Sequence, residues 1–135
     1  MCTHKQVLLA VAGLGFLALL GACGGGPQSS PEAVARAWME AVVDGRCDTV
    51  AAYMAADHQY EAKVSCGQSA GAQFTEARID NAVVRPYPAD TSRKLIVFVG
   101  TFQYGNEYGM RRFGEVQCDV EKLAGKWYVD GCLGW

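Results

Sequence analysis

Arg93-Lys94-Leu95-Ile96-Val97-Phe98-Val99-Gly100-Thr101-Phe102-Gln103-Tyr104 is the stretch whose reading decides the fold. Its β-branched and aromatic residues suit a pleated strand. Leu95 to Val99 is apolar at every position, so this half is predicted to be central in a sheet and covered on both faces. Gly100 breaks the run and marks a bulge or bend. Working outward, Gly105-Asn106-Glu107-Tyr108-Gly109 reads as a hairpin turn. The strand beyond it alternates, with Gly114, Val116, Cys118 and Val120 on one face and Glu115, Gln117, Asp119 and Glu121 on the other. Ala124-Gly125 turns the chain again, and Trp127 and Val129 lead towards Cys132. On the N-terminal side, Phe74 to Arg85 forms a first strand, which Pro86-Tyr87-Pro88 and Ala89-Asp90-Thr91-Ser92 bring to an end.

Before Phe74 the period changes from two to that of a helix. Ser30-Pro31-Glu32 opens a helix with an N-cap hydroxyl, a proline at the first helical position and an acid in the first turn. Val34, Ala37, Trp38, Ala41 and Val42 form one apolar stripe, and Asp44-Gly45 ends the helix. Asp48 is a candidate N-cap for a second, shorter helix bearing Val50, Tyr53 and Met54. From Asp57 to Gln73 the pattern is weak; a third helical piece around Tyr60 to Ser65 is predicted, then a loop through Gly67-Gln68-Ser69-Ala70-Gly71. Helices first and an antiparallel meander afterwards make an α+β layer architecture, the helices on one face of a curved sheet of about four strands.

Ahead of this domain, Lys5 with His4 forms a short basic region, and Val7 to Leu20 follows without a charge. Leu20-Gly21-Ala22-Cys23 closes that run and resembles the lipobox of bacterial lipoprotein signal peptides. The resemblance implies cleavage before Cys23 and a diacylglycerol on its sulfur. The competing reading is an uncleaved anchor helix, but a span needs ~20 apolar residues and this run meets Gly24-Gly25-Gly26-Pro27 first. The expected organisation is a signal peptide over residues 1–22, a lipidated cysteine and flexible tether over 23–30, and a single domain over 31–135. The expected location is the bacterial cell envelope, outside the cytoplasm. Where two membranes exist it is the outer one, because Gly24 is unlike the aspartate that retains lipoproteins at the inner membrane.

The chain has 12 Lys and Arg against 14 Asp and Glu; cleavage removes Lys5 and no acid, which leaves 11 against 14. A net charge of about −3 argues against a nucleic-acid partner and against electrostatic docking on anionic lipid, so the membrane contact is expected to be the lipid on Cys23 alone. Of six cysteines, Cys2 leaves with the signal and Cys23 is consumed. Cys47, Cys66, Cys118 and Cys132 remain, an even number in an exported chain, which reads as two disulfides. A four-cysteine zinc site usually carries C-x-x-C pairs, and none occurs. Four cysteines permit three pairings. Cys47–Cys66 with Cys118–Cys132 is favoured, provided that a bulge at Gly131 or a three-residue loop brings Cys132 to the face of Cys118.

Pro31-Glu32-Ala33-Val34-Ala35-Arg36-Ala37-Trp38, Ala41, Asp44-Gly45 and Gly125-Lys126-Trp127-Tyr128-Val129 resemble the nuclear-transport-factor-2-like superfamily, in particular small bacterial lipoproteins with this domain. The resemblance covers Ser30 to Cys132. It implies a cone, in which a bent antiparallel sheet wraps the long helix, often around an apolar cavity. Trp38, Tyr53, His58, Phe98 and Trp127 are the residues expected at such a pocket. The superfamily includes ketosteroid isomerases, scytalone dehydratase and limonene-epoxide hydrolase, and also members that only bind or assemble. No catalytic set of those enzymes matches this chain position by position. No cofactor is called for, and His58, alone after cleavage, rules out a metal site built on two histidines.

Asp57-His58 is an adjacent acid–imidazole pair, which an enzyme would use as a held general base; the plainer reading is a solvated connection. Tyr53 reads as core with its hydroxyl at the edge, and Asp130 as outward-facing unless the strand bulges. Arg93-Lys94 with Arg111-Arg112 suggests a small basic rim, and Tyr87, Tyr104 and Tyr108 suggest an aromatic rim for a protein partner. The expected function is a lipid-anchored, non-catalytic module that binds a partner protein or small apolar ligand. The alternatives are an isomerase, dehydratase or hydrolase using Tyr53, Asp57, His58 or Asp130, and self-association through the sheet.

Overall fold

A computed structural model describes residues 25–67, 73–106 and 108–134. The proposed signal peptide, Cys23, most of the loop after Gly67 and Trp135 lie outside the described residues. The architecture is α+β: three helices, α1 (Pro31–Val43), α2 (Cys47–Ala52) and α3 (Gln59–Gly67), precede four strands, β1 (Gln73–Tyr87), β2 (Asp90–Asn106), β3 (Gly109–Leu123) and β4 (Lys126–Gly134). The strands form an open antiparallel meander in the order β1-β2-β3-β4. The helices pack against this sheet, and α1 touches all four strands.

The local signals act where the chain places them. The Ser30 hydroxyl accepts from the Ala33 amide at 3.1 Å, and Pro31 takes the first turn of α1. At the other end the Gly45 N–H donates to the Val42 carbonyl and the Arg46 N–H to Ala41. That double closure requires a left-handed residue, which Gly45 supplies with φ 67°. The buried set on α1 is Val34, Ala35, Met39, Ala41 and Val42. The buried face is thus rotated from the predicted stripe: Ala35 and Met39 are inside, while Ala37 and Trp38 stand at its margin.

Two helix expectations are corrected. Asp48 is not the N-cap of α2: Arg46 holds that position without a side-chain cap, and the Asp48 carboxylate reaches Lys63 on α3 at 2.6 Å. Pro27–Ser29, expected as part of a flexible tether, form a short 3-10 turn against α1 and β4.

The sheet is centred on the opening stretch. Ile96 and Phe98 face the helices together with Val116, Cys118, Val120 and Val129, all fully buried. Val97 on the other face is hidden too, flanked in register by Val83 and Gln117, whereas Val99 is partly open to solvent. At the expected break, Gly100 and Thr101 form a bulge between the Val99–Glu115 and Phe102–Phe113 pairs. A side chain at Gly100 would put its Cβ 1.9 Å from the Arg78 carbonyl oxygen, so the close approach of β1 demands glycine. The Pro86 to Ser92 segment is not the long break predicted; β1 runs through Tyr87, only Pro88 and Ala89 turn, and β2 resumes at Asp90.

Both expected disulfides are present: Cys47–Cys66 with Cα atoms 5.4 Å apart, and Cys118–Cys132 with Cα atoms 4.1 Å apart. The second depends on a bulge one residue before the predicted position. Val120 pairs with Val129 and Asp119 with Gly131, so Asp130 is the extra residue and Cys132 comes directly opposite Cys118. The edge of β4 is held from outside by the chain leaving α2. There the Val129 N–H donates to the Tyr53 carbonyl at 2.8 Å, and Met54 forms a parallel bridge with Val129.

Candidate functional site

Where α1, α2 and α3 meet the sheet, a cleft of about 370 Å³ remains. Trp38 and Val42 of α1, Val50 of α2 and Glu61, Ala62, Ser65 and Cys66 of α3 form its helical walls. Phe74 and Tyr104 come from the paired first and second strands, Asp130 and Cys132 from β4, and Met54 and His58 from the connection that bridges to β4. Phe74 and Tyr104 are direct register partners, and their rings meet edge to face at 5.4 Å. The rotation of α1 gives Trp38 its place here. Its indole N–H is buried and meets no acceptor among the described residues.

The polar groups come together through the bulge on β4. His58 Nε2 lies 3.6 Å from Asp130 Oδ1 and 3.7 Å from Asp57 Oδ2. Both separations are ion-pair distances and too long for hydrogen bonds. Asp130 is committed elsewhere, since its Oδ2 accepts from Arg93 at 2.9 Å. The Arg93 guanidinium also stands 5.6 Å from the Tyr87 ring, and the Tyr87 hydroxyl donates to Asp119. That bond raises the Tyr87 phenol above its ordinary pKa, because its carboxylate acceptor favours the protonated hydroxyl; partial burial adds to the effect. Chemically, His58 faces two carboxylates but is fixed by neither in one tautomer, and it stays 44% exposed. No group of three or more His, Cys, Asp or Glu suited to a metal ion occurs among the described residues.

Of the five residues expected at a pocket, Trp38 and His58 border the cleft. Phe98 does not, because it is fully buried in the core, with Arg36 5.6 Å from its ring. Trp127 is likewise in the core, beneath Lys122, and Tyr53 packs against the core as the C-cap of α2. Asp130, read as outward-facing, is instead the bulged residue and borders the cleft. As cleft residues, Phe74, Tyr104 and Glu61 escaped the sequence reading. Only the pairing of β1 with β2 puts the first two side by side, and Glu61 sits in the weakly patterned segment.

The two rims are not formed. Arg93 and Lys94 pair with Glu121 and Val120 at one end of the sheet, whereas Arg111 and Arg112 pair with Tyr104 and Gln103 at the other. Tyr87 sits at the first of those ends and Tyr104 and Tyr108 at the second, so Tyr87 is apart from the other two.

No protein-family model matches the chain, and no curated protein matches it. Among solved structures it is similar to the solution structure of a SEC-C motif-containing protein from Rhodopseudomonas palustris. The TM-score is 0.53 at 18% identity, over 80% of each chain. At that identity the likeness concerns the fold alone: a small bacterial α+β chain shares this arrangement.

Proposed function

We propose that the protein is a lipid-anchored component of the bacterial cell envelope whose domain is a non-catalytic module binding a small apolar ligand. The observation that carries the binding part is the cleft, in which Trp38, Val42, Phe74 and Tyr104 share the lining with His58, Glu61 and Asp130. Two disulfides in a chain of this size suit an oxidising compartment outside the cytoplasm. Among the described residues no helix is long and apolar enough to cross a membrane; attachment is assigned to Cys23. The fold is read as a small cone of the nuclear-transport-factor-2-like kind. Bulges at Asp80, at Gly100 and Thr101, and at Asp130 support that reading, since each bends its strand.

Both parts have direct tests. Cys23→Ser should leave the precursor uncut or free the protein from membranes; unchanged processing and retention would refute the anchor. Ala62→Phe, on the cleft wall, should abolish binding of an environment-sensitive apolar dye to the native chain. Equal binding by both forms would remove the cleft from the account.

A second reading, an isomerase, dehydratase or hydrolase, is favoured by one observation: His58 and Asp130 border the same cleft. It requires that a bound substrate close their 3.6 Å gap. Turnover of an epoxide or β,γ-unsaturated ketone that vanishes in His58→Ala would establish it. Turnover that survives the substitution would eliminate it.

A further inference from the structure

We infer that the cleft selects an organic cation, an apolar body carrying an ammonium group, over neutral or anionic molecules of the same shape. The inference rests on reading the cleft as a ligand site. Three aromatic rings line it, from Trp38, Phe74 and Tyr104, and its carboxylates are Glu61 and Asp130. Neither lysine nor arginine lines it. The charge of Asp130 is met by Arg93 at 2.9 Å, which leaves that arginine committed as well. Glu61 is exposed and has no cationic partner among the described residues. His58 stands between the carboxylates of Asp57 and Asp130, 3.7 and 3.6 Å away.

The rest of the molecule sharpens the contrast. Arg36 stands at 5.6 Å from the Phe98 ring, Arg93 at 5.6 Å from Tyr87 and Lys122 at 5.7 Å from Trp127. The chain thus supplies its own cations to three rings outside the cleft. Among the described residues it supplies none to the three rings within it. An anion entering the cleft would meet Glu61 and find no free positive group. A neutral apolar body would bury the rings' surface but gain nothing from the carboxylate. A cation gains twice: from the aromatic rings that line the cleft and from the uncompensated charge of Glu61, at a partly open site where salt screens it. The volume, at the low end for ligand pockets, suits a small molecule.

The experiment uses the full-length chain in maltoside micelles, with protein-free micelles as the blank, and three probes of matched shape. These are phenyltrimethylammonium, its neutral isostere tert-butylbenzene, and benzenesulfonate. Binding is read from the Trp38 indole N–H resonance, assigned by its loss in Trp38→Phe. The cation should bind about three- to tenfold more tightly than the neutral isostere at low ionic strength, and the sulfonate should be weakest. Glu61→Gln should lower cation affinity about two- to fivefold and leave the neutral probe unchanged. Equal affinity for cation and neutral isostere, or preference for the sulfonate, overturns the cation inference while the binding cleft stands. If no probe moves the Trp38 resonance, the ligand-binding reading itself fails.

Discussion

Cys118–Cys132 joins two strands already paired along their length, whereas Cys47–Cys66 joins two short helices packed side by side at the margin of the core. In the first region burial, alternation and register all agree: Val116, Cys118, Val120 and Val129 are fully buried, and their neighbours on β3 face outward. In the second, α3 contributes no fully buried side chain among those described. Beside the disulfide it is tied to α2 by packing and by the exposed Lys63–Asp48 pair. The two loops are of similar length, with sequence separations of 14 and 19. The difference therefore lies in what each region would keep without its sulfurs. The sheet has a core of its own, while the α2–α3 wall of the cleft depends on a covalent clamp.

The largest expected effect tests the claim that the sheet is held by close fit. Gly100→Ala forces a Cβ against the Arg78 carbonyl and should cost about 3 kcal/mol, read by urea denaturation. A loss under about 0.5 kcal/mol, within the range of ordinary surface substitutions, would show that β1 yields and that the fit is loose.

Removing Cys47–Cys66 by paired serine substitutions should cost about 2–3 kcal/mol. Amide exchange in α2 and α3 should become fast while the β2 and β3 amides stay protected. Paired alanine substitutions of Cys118 and Cys132 should lower stability without any one region exchanging first. If α2 and α3 remain as protected as the sheet after their bridge is removed, the comparison collapses.

Tyr87→Phe should cost about 1 kcal/mol, a value reduced for the partial exposure of its bond to Asp119. The sign of the pH dependence follows from the raised phenol. The folded state holds this proton more tightly than the unfolded state, so the contribution is complete below the ordinary value of 10.0. It is lost as pH rises from there through the folded value. The substituted chain should lose less stability over that alkaline range; parallel curves would remove the bond from the account.

The smallest effect sharpens the helical side. Lys63→Ala should leave global stability unchanged, because both partners are largely exposed and the pair is screened. Exchange within α3 alone should quicken, and a global loss would mean that the pair, not the disulfide, is the clamp. The pair raises the Lys63 pKa through the Asp48 hydrogen bond and charge, so it persists through the neutral range.

Much of the frame was legible because its signals are short-range. Ser30, Pro31 and Gly45 bound α1 through groups within a turn of themselves, and the alternation from Val116 to Val120 names a face whatever the partner, although Gly114, expected on that face, is exposed and Phe113 packs on the core instead. The site was less legible because its residues depend on pairing. Asp130 reaches the cleft because β4 carries one residue more than β3 between two register pairs. Phe98 and Trp127, plausible pocket aromatics by type, sit where the core closes solidly.

The sequence by itself determined the order of helices and strands, the central place of Leu95 to Val99, the break at Gly100 and the even set of four cysteines. These rest on period, capping and side-chain type, which act over a few residues. Tertiary structure alone decided the rotation of α1 that buries Ala35 and Met39 and the meeting of Phe74 with Tyr104. It also decided the bulge that sets Asp130 near His58, and the placing of Arg93, Lys94 and Tyr87 at one end of the sheet and of Arg111, Arg112, Tyr104 and Tyr108 at the other. Each of those turns on a shift of a single residue or a fraction of a turn, and such a shift is set by the energy of packing the whole layer rather than by any local preference.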